Sequence, residues 1–157
     1  MNIEQKINKL EQELNKLKQQ TKNCMPKYWD FKIGEKFYYI YIAKVYSSDY
    51  VDSGFEKDLI LSGNIFRTKK EAEKELELRL ATQRLKEAIW EANGGEFIGF
   101  TPEVTNYMVT TDNNIVKVSR FEYAKTTQDW MYIKDEETAE RILEKNRTDF
   151  EIYYGLN

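Results

Sequence analysis

The first twenty residues place apolar side chains at Ile3, Ile7, Leu10, Leu14 and Leu17, spaced 4, 3, 4, 3 in an otherwise polar stretch. That spacing is the seam of a heptad helix, with Ile7 and Leu14 at a positions and Ile3, Leu10 and Leu17 at d. Lys6 and Glu13 then occupy g, and Glu11 and Lys18 occupy e, so a parallel pair of such helices brings opposite charges together at both complete g to e′ contacts. Residues 1–22 are therefore expected to be helical, either pairing with a second copy through these five residues or packing on their own domain. A seam of under three heptads is marginal by itself. Residues 21–26 read as a linker, because Pro26 cannot continue the helix and disfavours helical geometry at Met25.

From residue 27 onward the pattern is that of a globular body. Residues 37–45 are aromatic and β-branched on both pleat faces, which predicts one strand, central or covered. Ser62-Gly63-Asn64 predicts a turn into a short Ile65-Phe66 strand, and Thr68 with Glu71 three residues on forms a capping box for a long helix. On that helix Leu78, Ala81, Leu85, Ala88, Ile89 and Ala92 share one stripe, while Ala72, Leu76, Leu80 and Trp90 fall nearly opposite. One stripe has a sheet to meet; the other calls for the N-terminal helix or another subunit. Asn93-Gly94-Gly95 supplies the left-handed cap that ends the helix.

Beyond Pro102 a meander is expected, with strands over 107–110, 115–118 and 121–124 and a turn at Asp112-Asn113-Asn114. Residues 130–133 lead into Asp135, the N-cap of a helix whose inner face is Ala139, Ile142, Leu143 and Phe150. A shift of 67 residues lays Thr68 on Asp135, Ala72 on Ala139, Leu76 on Leu143 and Phe66 on Ile133. The expected fold class is α+β: an N-terminal helix, then two strand-strand-helix units, 27–95 and 96–157, forming an antiparallel sheet packed by helices. The halves read either as an internal duplication or as two capped helices that happen to follow strands.

Composition narrows the chemistry. The chain has 157 residues, enough for one core, and its 8 Phe, 11 Tyr and 3 Trp stand against no His and one Cys, Cys24. Lacking histidine, it has no imidazole base, no Ser-His-Asp arrangement and no zinc site of the common His/Cys kinds. A lone cysteine forms no internal disulfide. The amino terminus is acidic and polar where a secretion signal is basic and then apolar, and no apolar run approaches the roughly 18 residues of a membrane span. A cytoplasmic protein with no membrane partner is expected. A formal net charge of −3 selects no partner.

The candidate binding residues are Tyr39, Tyr41, Tyr46, Tyr50 and Trp90, because Tyr and Trp dominate interface hot spots, together with Arg67, Lys69 and Lys70. The same aromatics can instead fill a core with their polar ends at its rim. Arg67, Lys69, Lys70, Arg79, Arg84 and Lys86 read as a basic strip or, given the interleaved Glu71, Glu73, Glu75, Glu77 and Glu87, as a salt-bridged solvated helix, which is the better fit. Gly63-Asn64 before a helix start suits a turn better than a phosphate site. Asp135-Glu136-Glu137 coincides with a helix start, where acids belong. No catalytic residue, metal or cofactor is expected.

Trp29, Gly34-Glu35-Lys36-Phe37-Tyr38, the run from Gly63 to Glu73 and residues 130–155 together resemble a widespread group of uncharacterised small proteins of phages and prophages of Gram-positive bacteria. That group carries a leucine-rich helix, then Gly-Glu-x-x-Tyr-Tyr, then Gly-Asn-x-Phe-x-Thr-x-x-Glu-Ala-Glu. Tyr132-Ile133-Lys134-Asp135 departs from its more usual second Phe-x-Thr. The resemblance implies an accessory phage protein acting in the bacterial cytoplasm, where such proteins bind and disable host factors, CRISPR effectors among them. The expected function is inhibition of a host defence effector by occupancy, without enzymatic turnover. The alternatives are a nucleotide or nucleic-acid binder, such as a signal sponge, and a structural component that oligomerises.

Overall fold

The structure, a computed structural model, describes residues 30–100, 105–121 and 129–156. Ile3, Ile7, Leu10, Leu14, Leu17, the linker and Trp29 lie outside the described residues. Among those described, the chain is mixed α+β, with three α-helices and two separate two-stranded antiparallel sheets where the sequence suggested one sheet. It divides into two compact units, one of the described residues up to Ile40 with Tyr46–Lys69, the other of Tyr41–Val45 with the chain from Lys70. The division falls at the start of the long helix and not at Gly95, because that helix shares its core with the strands that follow it.

β1 (Lys36–Tyr41) and β2 (Lys44–Asp49) form a hairpin, most of each strand in the first unit and the turn, within Tyr41–Val45, grouped with the second. The uninterrupted strand expected over 37–45 is broken at Ile42 and Ala43, both left-handed at φ 44° and 53°. A two-residue hairpin turn whose twist matches its strands needs positive φ at both positions, which non-glycine residues adopt at about 1–2 kcal/mol each. At the base of the hairpin the Tyr50 amide donates to the Glu35 carbonyl at 2.9 Å, and Gly34 N–H donates to the Tyr50 carbonyl at 2.8 Å.

α1 (Gly54–Leu61) was not foreseen, although Ser53-x-x-Glu56 is a capping-box spacing. Glu56 is buried and accepts from Ser53 N–H at 2.8 Å, from Val51 N–H at 3.3 Å and from the Ser53 hydroxyl. Gly63, at φ 65°, closes α1: its amide reaches the Ile60 carbonyl and the Asn64 amide reaches that of Leu59. The chain then runs along the other edge of β1. Phe66 and Tyr38 exchange both backbone hydrogen bonds, at 2.8 and 2.9 Å. Two residues back, the Asn64 side chain stands in for a further backbone pair, donating to the Ile40 carbonyl at 2.8 Å and accepting from its amide at 3.3 Å. The Gly-Asn-x-Phe motif is thus a helix stop followed by an edge pairing. Phe31, Phe37, Tyr50, Leu59 and Ile65 form the core, in which full burial of Phe37 is worth about 1.5–3 kcal/mol.

The second unit holds α2 (Lys69–Ala92), β3 (Asn106–Asp112), β4 (Ile115–Phe121) and α3 (Glu136–Tyr153). α2 starts directly after Thr68 and ends on Asn93-Gly94-Gly95 as expected, with the Gly95 amide 2.9 Å from the Trp90 carbonyl. Its stripe is buried at Ala81, Leu85 and Ile89; on the other side Ala72 is buried and Leu80 and Trp90 are exposed. β3 and β4 pair in register Val109 to Val118 and Asp112 to Ile115, across a turn at Asn113 and Asn114 with φ 51° and 61°. β4 runs on to Phe121, and the remainder of the strand expected over 121–124 lies outside the described residues.

Before Asp135, a 3-10 turn, Asp129–Met131, precedes two single bridges, Tyr132 to Ile98 and Ile133 to Tyr107. Asn93 holds this segment through its side chain, donating to the Tyr132 carbonyl at 2.8 Å and accepting from Lys134 N–H at 3.2 Å. Asp135 caps α3, accepting from the Thr138 amide at 2.8 Å. Leu85 and Ile89 of α2, Val109 and Val116 of the hairpin, and Ile142 and Phe150 of α3 share one core. The Tyr154 hydroxyl donates to the Val109 carbonyl at 2.6 Å, and burial pushes its pKa up.

Candidate functional site

Alternation along β1 puts Phe37, Tyr39 and Tyr41 on one pleat face. Phe37 enters the core, and Tyr39, half-buried above it, gathers exposed rings. Tyr39 stacks on Tyr46 of β2 with centroids 5.7 Å apart and planes at 25°, and meets Phe55 of α1 edge-on at 5.4 Å. Tyr46 is 41% exposed and Phe55 52%. Two of the predicted binding tyrosines, Tyr39 and Tyr46, are therefore brought together. Phe55 joins them because of the helix that sequence reasoning missed; the Ser53-Glu56 spacing was the signal that placed it.

Tyr50 corrects the expectation: it is only 8% exposed, stacked on Phe31 at 5.6 Å in the core. Its hydroxyl donates to Asp52 at 3.2 Å, and burial, with that carboxylate beside it, raises its pKa. It closes the base of the hairpin and does not face solvent. Tyr41 is exposed at the hairpin end.

The basic residues are mostly engaged. Arg67 pairs with Glu35 at 2.5 Å, donates to the Asp30 carbonyl at 3.0 Å and lies 4.6 Å over the Phe31 ring. It clamps the ends of the first unit and does not project as a free cation. Lys69 and Lys70 are exposed on the first turn of α2. Farther along, Arg79 pairs with Glu75 at 2.8 Å, Arg84 makes a two-pronged pair with Asp149 of α3 at 2.9 and 2.5 Å, and Lys86 sits 5.5 Å over the Trp130 ring. The salt-bridged reading of this helix holds over the basic strip.

Two further features belong to the second unit. Trp90, 46% exposed, lies against Gly95, where a Cβ would stand 3.5 Å from the indole. Between α2 and α3 runs a groove of about 280 Å³, floored by Ala88, Ala92 and Ile142 and rimmed by Glu91, Arg141 and Lys145. α3 leaves helical geometry at Asn146, whose side chain donates to the Ile142 carbonyl at 3.0 Å.

The acids serve the fold. Hydrogen bonds from Ser53 hold the Glu56 carboxyl below its ordinary pKa, and the Thr138 amide does the same for Asp135. Among the described residues no group of His, Cys, Asp and Glu could hold a metal ion, and no helix is long and apolar enough to cross a membrane. No protein-family model, curated protein or solved structure matches the chain.

Proposed function

We propose that this chain is a binding protein that disables its partner by covering a functional surface. The partner, in line with the resemblance of its motifs to phage accessory proteins, is a host protein, a defence effector. The observation that carries the reading is the ring cluster of Tyr39, Tyr46 and Phe55, solvent-facing on one side and anchored on Phe37. Large rings held by their neighbours lose little conformational freedom on binding and are the residues that dominate contact energy. Around them the acids and bases are tied to the fold, as Arg67 to Glu35 and Glu56 to Ser53.

Affinity capture from a bacterial lysate by the wild type and by Tyr46→Ala/Phe55→Ala tests this. A stoichiometric protein is expected with the first and lost with the second, with the two circular dichroism spectra unchanged. Recovery of nucleotide or nucleic acid in place of protein would transfer the face to the sponge reading.

A further inference from the structure

The first hairpin is closed along one strand edge and open along the other. On β1 the outward-facing backbone groups are those of Tyr38 and Ile40. Tyr38 exchanges both bonds with Phe66, and the Asn64 side chain meets the amide and the carbonyl of Ile40. Across the two-residue turn the same alternation sets Tyr41 opposite Lys44, Tyr39 opposite Tyr46 and Glu35 opposite Tyr50, the last pair joined through the Tyr50 amide at 2.9 Å. Val45, Ser47 and Asp49 therefore turn their N–H and C=O groups away from β1, and no backbone or side-chain group among the described residues bonds to them.

This edge lacks the usual guards. A free strand edge is blunted by charges, proline or a bulge, because it otherwise pairs with an extended chain. β4, the equivalent strand of the second hairpin, carries Lys117 and Arg120 within its length. β2 has no proline, no left-handed residue and no charge between Lys44 and Asp49 at its ends, and all of it but Val45 is exposed. Spacing decides what the edge can receive. Paired donors and acceptors that recur every second residue, about 6.8 Å apart, match an extended backbone and neither a helix nor isolated side chains. A side chain placed opposite Tyr46 on an added strand stands about 4.5–5.5 Å away, on the face that Tyr46 shares with Tyr39 and Phe55.

We propose that the partner covering the Tyr39, Tyr46 and Phe55 rings supplies an extended segment that adds to β2 as a third strand, bonded through Ser47 and Asp49, with a β-branched or aromatic side chain against Tyr46. This partner is the one of the proposed function, on which the assignment rests, now specified as a protein with an unpaired extended segment. Backbone bonds hold that segment, and the rings select its sequence.

Two probes separate the edge from the reading it rests on. The first is an end-capped Thr-Val-Thr-Val-Thr-Val peptide at millimolar concentration, with the same peptide N-methylated at every residue as control, followed through the backbone amide resonances of the wild-type full chain. The unmethylated peptide is expected to shift the Ser47 and Asp49 amides and the methylated one to leave them in place. No shift, or equal shifts, would overturn strand addition. The second probe is the protein that the wild type captures from the lysate, measured against Ser47→Ala, which keeps the outward N–H, and Ser47→Pro, which removes it where the hairpin makes no use of it. Ser47→Pro is expected to weaken binding by about tenfold or more, as loss of a backbone bond requires, with Ser47→Ala close to wild type. Equal binding by all three overturns the added strand and leaves the occupancy reading standing. Capture of no protein overturns that reading, and this choice of partner with it, even where the peptide shifts the edge. Where the circular dichroism of Ser47→Pro departs from wild type, amide exchange in the wild-type complex decides. Slowing at Ser47 and Asp49 by about tenfold is expected, and unchanged exchange there overturns the added strand.

Discussion

The two hairpins have the same plan and opposite surroundings. Each has two short strands, a two-residue left-handed turn, and a later residue that pairs with the first strand just before a helix: Phe66 on Tyr38 in one, Ile133 on Tyr107 in the other. In the second hairpin Met108, Val109 and Val116 are buried, and α3 lies against both strands. In the first, every residue of β2 except Val45 is exposed, and above Phe37 lie the rings of Tyr39, Tyr46 and Phe55. The second hairpin is covered on one face by its core; the first leaves one strand, its aromatic face and its tip exposed. An arrangement present twice in one chain, with one version packed on α3, makes the exposed rings of the other the feature that folding leaves unexplained.

The largest test of that contrast is truncation. Phe150→Ala, under the second hairpin with no exposed surface, is expected to cost about 3–5 kcal/mol in urea unfolding. Tyr46→Ala on the first should stay within about 1 kcal/mol. Comparable losses would erase the distinction between a packed hairpin and a presented one.

Exchanging the turns comes next. Asn113→Ile with Asn114→Ala should destabilise by about 2–4 kcal/mol, from two residues forced into the left-handed region. Ile42→Asn with Ala43→Gly should instead stabilise, by about 1 kcal/mol. The same sign from both exchanges would show that turn strain is not what separates them.

The smallest effect is the acid response. Glu56 in the first unit and Asp135 in the second have folded pKa values below the ordinary ones. Each therefore adds stability that is fully present above about pH 4 and lost as the pH falls through the folded value. Glu56→Gln and Asp135→Asn should each lower the slope of stability against pH below that point by up to about one proton. An unchanged slope in either variant would show that its cap does not titrate with folding.

Much of this was legible in the residues themselves. Asp135, Asn93-Gly94-Gly95 and Asp112-Asn113-Asn114 act through local hydrogen bonds and backbone preference, so cap, stop and turn stand where the sequence puts them. Less of the candidate site was legible. Tyr39 and Tyr46 were named from composition, but Tyr50 carries the same signal and is buried, while Phe55 was missed along with its helix. Residue type does not say which pleat face a covering element will take.

The sequence by itself determined the α+β class, the positions of the long helices and their ends, and the second turn, because each depends on interactions within a few residues. Only the tertiary structure decided that residues 37–45 fold back at Ile42 and Ala43, that the strands among the described residues form two sheets, and that α2 joins the core of the second unit. Those outcomes depend on pairings between residues far apart in the chain. There burial of Phe37, Val109 and Phe150 outweighs the local preference of an isoleucine for extended backbone.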